Sequence, residues 1–183
     1  MSEIDAALTA WINAGAGHLP PVDFIMIWIS ALGAPLLVVA VALQWWIPRS
    51  DRPTRHVLVA AGLSFLIGLG FNQLVLLFVQ RVRPYDAHVT HLIIDPSADF
   101  SFPSDHATAG FAIAVAFLLH GLPKRGLAFL AAAMLLAVSR VYIGTHYVGD
   151  VLGGAATGAV AAVLVRAAYR EGSKLDRLVT GIL

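Results

Sequence analysis

Long runs of apolar residues alternate with short polar segments along this chain. A helix needs roughly 17–25 predominantly apolar residues to cross a bilayer, and five runs approach or reach that length. We therefore predict five membrane-spanning helices, at about residues Val22–Ile47, Val57–Gln80, Ser104–His120, Gly126–Ile143 and Val148–Ala168. The third run is the shortest, so a helix there has little room to tilt.

The two ends of the chain are patterned differently from the runs between them. Ile4, Leu8, Trp11 and Ile12 recur at helical spacing, which predicts that residues 1–20 form a short interfacial helix, with a sixth crossing as the alternative. A secretory signal peptide is not expected, because this stretch contains no Lys or Arg. Residues 171–183 are predicted to form a basic amphipathic tail on an anionic leaflet, with a solvated tail as the alternative.

The composition supports a membrane protein. Of the 183 residues, 58% are hydrophobic and 13% are charged, which is too apolar for an ordinary soluble domain. We predict an all-α integral membrane helical bundle that forms a single domain over residues 1–183. The net charge of +1 argues against nucleic acid as a partner, since that would require a basic stripe. Cys is absent, so neither a disulfide framework nor a thiolate metal site is expected.

The distribution of basic residues predicts an orientation for five crossings. One side receives nine Lys and Arg residues in its loops and tail, namely Arg49, Arg52, Arg55, Lys124, Arg125, Arg166, Arg170, Lys174 and Arg177. The other side receives only Arg81, Arg83 and Arg140. Because the richer side faces the cytoplasm in most membrane proteins, the poorer side is expected to face the periplasm or the exterior, in a multi-pass protein of the cell (inner) membrane.

Ionisable side chains on the outer side are the candidate functional residues. They form three clusters: Arg83-Pro84, Pro103-Ser104-Asp105-His106, and Arg140 followed by His146 and Asp150. Charged groups near hydrocarbon cost about 2.5–3.5 kcal/mol each on insertion scales, so they usually mark a functional site. Guanidinium forks match phosphate oxygens. Together the clusters predict a phosphate-binding site.

His146 and Asp150 lie four residues apart, and on a helix they would share a face. An Asp that accepts the Nδ1 proton leaves Nε2 as a nucleophile or base; the alternative is a buried pair that only locks two helices. A bend at Gly144 would let Arg140 reach the same pocket. Ser104 could bind an anion at the start of its helix, although an ordinary helix N-cap is the alternative.

A metal site is not expected. His88 and His91 are three residues apart, but they lack a third convergent ligand, and a loop over the pocket is the preferred interpretation. The sequence thus predicts neither a metal nor another cofactor.

The order of the three clusters resembles a known family. R-P at Arg83, P-S-x-H from Pro103 to His106 and S-R-x5-H-x3-D from Ser139 to Asp150 are similar to the motifs of the type 2 phosphatidic acid phosphatase superfamily. Its members are integral membrane lipid phosphatases that need no metal. The resemblance in motifs covers about residues 83–150, and the hydropathy matches over a longer range.

The resemblance implies a role for each candidate residue. His146 would be the nucleophile that forms a phosphohistidine, His106 the general acid, and Asp150 the group that stabilises the imidazolium. The phosphate oxygens would be neutralised by Arg83, Arg140 and Ser104. Pro84 and Asp105 complete the candidate substrate-binding set.

Two positions depart from the family pattern. The usual first motif is K-x6-R-P, but the position seven before Arg83 is Leu76. Arg81 could supply the missing charge, although on a helix an offset of two residues would point it elsewhere. Asp105 replaces the usual Gly, and its carboxylate would repel phosphate unless it is turned away or paired.

Both departures are similar to the undecaprenyl-diphosphatase, or bacitracin-resistance, branch of the family. So are four stretches of the chain: Ala87–Leu92, Ala98–Thr108, Arg140–Tyr147 and Asp150–Gly153. The implied substrate is a C55 isoprenyl diphosphate, hydrolysed to the monophosphate and phosphate during recycling of the cell-wall carrier lipid. Alternatives are a phosphatase for phosphatidylglycerophosphate, phosphatidate or lipid A, and a lipid phosphotransferase. A transporter of anions or lipids is the alternative outside enzymes, but an oriented His–Asp pair argues against it. The expected partners are a lipid phosphate or diphosphate and membrane lipids; the sequence carries no signal for an oligomeric state.

Overall fold

The computed structural model describes residues 3–47 and 51–182, and within these ranges the chain forms helices and loops without a strand. The described residues form seven α-helices: α1 (Glu3–Asn13), α2 (Pro20–Leu43), α3 (Arg52–Leu76), α4 (Asp105–Leu119), α5 (Pro123–Tyr142), α6 (Val148–Ala168) and α7 (Lys174–Thr180). A 3-10 turn over Gln44–Trp46 extends α2. Arg49, one of the residues used to predict the orientation, lies outside the described residues.

The predicted all-α membrane bundle is confirmed. Among the described residues, α2 with its 3-10 turn, α3, α5 and α6 are long and apolar enough to cross a membrane. The third predicted span is also helical, but α4 has only 15 residues. It lies at the centre of the bundle, against α3, α5 and α6, and most of its residues are buried. Its neighbours therefore cover much of a helix that lipid would otherwise surround.

The close approach of α4 and α6 depends on glycine. A Cβ atom on Gly158 would lie 2.5 Å from the carbonyl oxygen of Thr108 and 2.7 Å from the backbone nitrogen of Ala112. The Thr108 hydroxyl donates to the carbonyl oxygen of Gly154 across the same contact. This agrees with the spacing of small residues that allows membrane helices to pack closely.

The loop between α3 and α4 differs from the prediction. The second span was expected to continue to Gln80, but α3 ends at Leu76. The following residues leave the helix because they bond to other parts of the protein: the Arg81 carbonyl accepts from the Ser101 N–H group at 2.8 Å. The Arg81 side chain therefore does not follow the helical offset assumed from the sequence.

The candidate residues and most of the basic residues lie at opposite ends of the bundle. The start of α4, the end of α5 and the start of α6 meet at one end, which we call the site end. At the other end α7 packs on α3, where Asp176 lies 2.8 Å from His56 and Arg55 donates to the Thr180 carbonyl oxygen at 3.2 Å. The predicted amphipathic tail is thus docked by Asp176, while Leu175 and Leu178 are exposed.

Helix α1 packs across the site end through its polar residues. Asp5, Thr9 and Asn13 lie four residues apart and face α5 and α6, with Thr9 and Asn13 buried. Ile4 and Trp11 point away from the bundle, with 73% and 77% of their surface exposed. That this apolar face lies in the membrane interface stays a prediction.

Candidate active site

One small cavity at the site end collects residues from all three sequence clusters. It measures about 130 Å³, and Arg83, His106, Arg140 and His146 line it together with Asp105. The remaining lining residues are Leu76, Ser97, Asp99, Phe100 and Pro103. The α3–α4 loop, the first turn of α4, the last turn of α5 and the α5–α6 loop therefore supply four cationic or imidazole side chains to one space.

His146 lies in the loop between α5 and α6, and its ring is held from one side. Nδ1 lies 2.8 Å from the carbonyl oxygen of Ser101. Because a carbonyl oxygen only accepts, Nδ1 carries the proton and the neutral ring has its lone pair on Nε2. A turn at Gly144, with φ of 89°, separates this ring from Arg140 on α5. The predicted bend at Gly144 is present.

Asp150 contacts His146 differently from the expectation. Its Oδ2 lies 3.5 Å from His146 Nδ1. The Nδ1–H group, which was predicted to donate to this carboxylate, donates to the Ser101 carbonyl oxygen instead. Three donors hold the carboxylate: the Ser101 hydroxyl, the Tyr147 N–H group at 2.8 Å, and Arg81 Nη1 at 2.7 Å. Asp150 is fully buried, and it acts on the ring as a nearby negative charge.

Of the two arginines that line the cavity, Arg140 makes fewer hydrogen bonds to the protein than Arg83. Arg140 is 8% exposed, and Nη1 donates to the Ser30 hydroxyl at 2.5 Å. Its Nε is buried without a hydrogen-bond partner in the part of the chain that the structure describes. A buried donor without a partner costs free energy, which an anion in the cavity would recover.

Arg83 is bonded to the protein on all three nitrogens. Nε donates to the Asp99 carbonyl oxygen at 3.0 Å, Nη1 to the Thr145 carbonyl oxygen at 2.9 Å, and Nη2 to Asp99 Oδ1 at 2.7 Å. A longer contact of 3.4 Å joins Nη2 to the Phe100 carbonyl oxygen. Arg83 thus lines the cavity and also ties two loops together beside His146.

The second cluster divides its residues between the cavity and the helix start. His106 faces the cavity, and its ring makes no hydrogen bond within residues 3–47 and 51–182, which leaves it available to a substrate. Ser104 is the N-cap of α4 and accepts from the Ala107 N–H group at 3.5 Å. Neither Ser104 nor Pro84 lines the cavity, although both are buried. Their roles in substrate binding stay predictions.

Leu76 and Asp105, the two residues that depart from the family pattern, both lie at the cavity. Leu76 lines the cavity where the family Lys would stand, and Arg81 is not among the lining residues. Asp105 also lines the cavity, and Oδ1 accepts from the Asn72 amide at 2.7 Å. The partner of this carboxylate is therefore a neutral amide of α3 rather than one of the cavity arginines.

The surroundings of His146 favour its neutral form. Burial lowers the pKa of the ring below its ordinary value of 6.5, and the nearby Arg140 and Arg83 lower it further, whereas Asp150 opposes this shift. Removing water from around a cationic ring disfavours the charged state. A neutral ring is what the predicted role of His146 as a nucleophile or base requires.

An apolar groove begins where the cavity ends. It measures about 430 Å³ and shares Asp105 and His106 with the cavity. The remaining lining residues come from α2, α3 and α4, namely Ala34, Pro35, Val38, Val39, Phe65, Leu69 and Ala109. The arrangement places hydrocarbon surface directly beside the charged groups.

Sequence reasoning did not identify several residues that support the site. Ser101 holds both His146 and Asp150, Asp99 pairs with Arg83, and Asp5 pairs with Arg81. Asp99 and Ser101 lie in the stretch Ala98–Thr108 that resembles the undecaprenyl-diphosphatase branch, but the resemblance assigned no role to either residue. A signal did exist for Asp5, because Asp5, Thr9 and Asn13 recur every four residues and form a polar stripe on α1. His88 and His91 do not line the cavity, and among the described residues no cluster of three potential metal ligands occurs.

Comparisons with known proteins cover most of the chain. The sequence pattern of the PAP2 superfamily matches residues 57–173. Undecaprenyl-diphosphatase BcrC of Bacillus subtilis is 35% identical over 142 residues, which are 78% of this chain and 72% of the relative. Putative undecaprenyl-diphosphatase YbjG of Escherichia coli is 28% identical over 163 residues, which are 87% of this chain and 80% of the relative.

A solved structure has the same arrangement of helices. The crystal structure of a transmembrane PAP2-type phosphatidylglycerolphosphate phosphatase from Bacillus subtilis aligns with a TM-score of 0.66 and 25% identity. The alignment covers 93% of this chain and 87% of the other.

Proposed function

Since this chain belongs to the PAP2 superfamily of membrane phosphatases, we propose that it hydrolyses undecaprenyl diphosphate to undecaprenyl phosphate and inorganic phosphate. The observation that carries the proposal is the single cavity in which two histidines face two arginines. Phosphoryl transfer needs positioning and neutralisation of the phosphate oxygens more than it needs covalent help from the protein, and this set of side chains supplies both.

The reaction proceeds in two steps. Nε2 of His146 attacks the terminal phosphorus, so that an N–P bond forms while the P–O bond to the lipid monophosphate breaks. His106 gives its proton to the departing oxygen. It then takes a proton from the water that cleaves the phosphohistidine and releases inorganic phosphate. Arg140 and Arg83 neutralise the charge on the transferring group.

The apolar groove supports a lipid substrate. A phosphate in the cavity would place the attached chain beside Asp105 and His106, where the groove opens. Because the lining is apolar, the groove can take up the isoprenyl chain in place of bilayer hydrocarbon, to which that chain is chemically similar. A diphosphate also suits the site, because its leaving group is itself a phosphate and depends less on the general acid.

The proposal includes the direction in which the site faces. The cavity lies at the end of the bundle opposite Arg55, Arg166 and the α7 residues Lys174 and Arg177. Since basic loops stay in the cytoplasm, the cavity would open to the periplasm or the exterior of the cell membrane. This is the face on which a cell-wall carrier lipid is released after polymer export.

Phosphate release from C55 isoprenyl diphosphate in detergent, with a chelator present, tests the proposal. Wild type is expected to release phosphate, and His146→Ala to lose both this release and the acid-labile, base-stable phosphoenzyme signal of a phosphohistidine. His18→Ala is the matched control, because its ring is exposed and outside the cavity. Release that survives His146→Ala would remove the nucleophile, and release abolished by the chelator would contradict the metal-free reaction.

Substrate identity is tested by competition among lipids. Phosphatidylglycerophosphate, phosphatidate and lipid A are assayed beside the C55 diphosphate, and the highest kcat/KM is expected for the diphosphate. A higher kcat/KM for one of the other three would assign the site to that lipid instead.

A further inference from the structure

A chain of charges joins the N-terminal helix to the candidate active site. Arg81 Nη2 lies 2.6 Å from Asp5 Oδ2 on α1, while Nη1 lies 2.7 Å from Asp150 Oδ1 at the start of α6. The guanidinium group also lies over the Tyr147 ring, 3.9 Å from its centroid. One arginine therefore bridges a carboxylate outside the site and the carboxylate that faces His146.

Helix α1 also binds the backbone that follows His146. The Gly149 N–H group donates to Asp5 Oδ1 at 2.8 Å, and the Val148 N–H group donates to the Thr9 hydroxyl at 3.0 Å. Both N–H groups belong to the first turn of α6, where the helix itself provides no acceptor for them. Two side chains of α1 thus cap the helix whose preceding loop carries His146.

Further along α1, Asn13 fixes the other end of the same loop. Its amide donates to the carbonyl oxygens of Tyr142 at 2.7 Å and His91 at 2.9 Å. The His91 N–H group donates back to Asn13 Oδ1 at 2.7 Å. The loop from Tyr142 to Gly149 is therefore held by α1 at both of its ends.

We propose that Asp5 and Arg81 are positioning residues for the hydrolytic reaction, holding the Asp150 carboxylate and the α5–α6 loop so that His146 presents Nε2 to the phosphate. The inference rests on the proposed function of the site. Neither residue touches the substrate, since neither lines the cavity. Arg81 does not replace the Lys missing from the family motif; it compensates the charge of Asp150 instead.

The linear order of the charges gives the two residues opposite electrostatic effects on His146. Arg81 offsets the negative charge of Asp150, and Asp5 in turn offsets the positive charge of Arg81. Without the Arg81 charge, the carboxylate of Asp150 would favour the protonated form of His146 more strongly. Without the Asp5 charge, the uncompensated charge of Arg81 would disfavour that protonated form. A purely structural support would shift both variants in the same way or not at all.

Other charged and titratable groups surround His146 and Asp150, and the variants leave these groups unchanged. They come from the α3–α4 loop, α4, α5 and the start of α6, and they are Arg83, Asp99, Asp105, His106, Arg140 and Tyr147. Each single variant changes only Asp5 or Arg81. Shifts of opposite sign in the His146 titration would therefore result from the charge chain.

The experiment compares Asp5→Asn, Arg81→Gln and the double variant with wild type. Phosphate release from C55 diphosphate is measured as kcat and KM from pH 4.5 to 8. We expect kcat to fall about 10-fold or more in each single variant with little change in KM, as for a group that acts through another. The acid limb of kcat/KM should move up by about 0.5–1 pH unit for Arg81→Gln and down by a similar amount for Asp5→Asn. The double variant should return towards the wild-type limb.

Glu3→Gln is the matched control, because it removes the same charge from an exposed position of the same helix. It should match wild type in kcat and in the position of the acid limb. Thermal unfolding, followed by tryptophan fluorescence, identifies any variant that has lost its fold, and the double variant tests charge compensation independently of such losses.

Titration of the His146 ring by NMR, in protein without substrate, separates this inference from the proposed hydrolysis. Opposite shifts of the ring titration in the two single variants would support the charge chain even if another lipid proves to be the substrate. Equal shifts, or none in folded variants, would overturn it. Wild type that titrates as described but hydrolyses none of the lipids would instead overturn the proposed function.

Discussion

Arg83 and Arg140 have the same side chain and line the same cavity, yet their contacts predict different consequences of replacement by Lys. Arg83 donates four hydrogen bonds to protein groups, three of them to backbone carbonyl oxygens. Arg140 donates one, to Ser30. A Lys keeps the charge but loses the planar fork, so the first change removes structural bonds and the second removes mainly a buried donor that has no partner among the described residues.

The magnitudes follow from the number and burial of the bonds. A hydrogen bond that involves a charged group contributes about 1.5–3 kcal/mol. The Arg83–Asp99 ion pair is discounted, because the Asp99 side chain is 63% exposed and surface pairs contribute about 0–1 kcal/mol. The buried bond to Thr145 and the bond from Nε remain, and Lys can replace at most one of them. Arg83→Lys should therefore cost about 2–4 kcal/mol, which corresponds to a fall in Tm of about 5–10 °C for a chain of this length.

Arg140→Lys should destabilise the fold less than Arg83→Lys and slow the reaction. Removing one donor from a charge-stabilising site typically costs about 10²–10³ in kcat, and the fall in Tm should be smaller than for Arg83→Lys, because at most the single bond to Ser30 is lost. The assays are thermal unfolding by tryptophan fluorescence and steady-state phosphate release from C55 diphosphate. Ser30→Ala is the control, because it removes the partner of Arg140 but keeps the guanidinium group; a few-fold loss of kcat is expected.

Two results would refute this reasoning. One is an equal fall in Tm for Arg83→Lys and Arg140→Lys, which would mean that the hydrogen bonds of Arg83 do not stabilise the loops. The other is full activity in Arg140→Lys, which would mean that the buried Nε makes no contact with the transferring phosphate.

Two further predictions concern the protonation of the site and its packing. Because burial lowers the pKa of His146 below its ordinary value of 6.5, the acid limb of kcat/KM should lie below pH 6.5, so activity should be kept at pH values at which a free imidazole is already protonated. Arg140→Gln, which removes a neighbouring cation, should move this limb upwards. A limb at or above 6.5 in wild type would contradict the environment described. Gly158→Ala should lower stability by about 1–3 kcal/mol, since its Cβ would lie 2.5 Å from the Thr108 carbonyl oxygen, and should lower kcat by separating α4 from α6. Gly70→Ala, a change in α3 with no atom within 4 Å of the added Cβ, should leave both quantities unchanged or raise Tm slightly; similar losses in the two variants would show that the α4–α6 contact is not the cause.

Much of the fold was predictable because hydropathy acts over single segments. A helix inside a bilayer must satisfy its own backbone hydrogen bonds and present apolar side chains. Each span can therefore be recognised from about twenty consecutive residues. The helices α2, α3, α5 and α6 were identified in this way, although α3 ends four residues before the predicted boundary. The central position of α4 was not predictable, because a short apolar run does not reveal whether lipid or protein will cover it.

The candidate site was predictable to the extent that its residues form local motifs. The spacing from Arg140 to Asp150 and the P-S-x-H cluster placed His106 and His146 among the candidates, and the structure brings both to one cavity with Arg83 and Arg140. The roles assigned to them remain predictions. Ser104 and Pro84 belong to the same motifs but do not line the cavity, since a motif specifies neighbours along the chain and not the direction of each side chain.

The sequence alone determined that the chain is a bundle of membrane helices with the motifs of a phosphatase family, because hydropathy and motif spacing are properties of short segments. The tertiary structure decided which group each charged side chain meets. His146 donates to the Ser101 carbonyl oxygen instead of Asp150, and Asp105 pairs with Asn72. Asp5 reaches Asp150 through Arg81. These contacts join residues 33 to 76 positions apart in the chain, and electrostatic and hydrogen-bond energies depend on distance in space, which only the folded chain fixes.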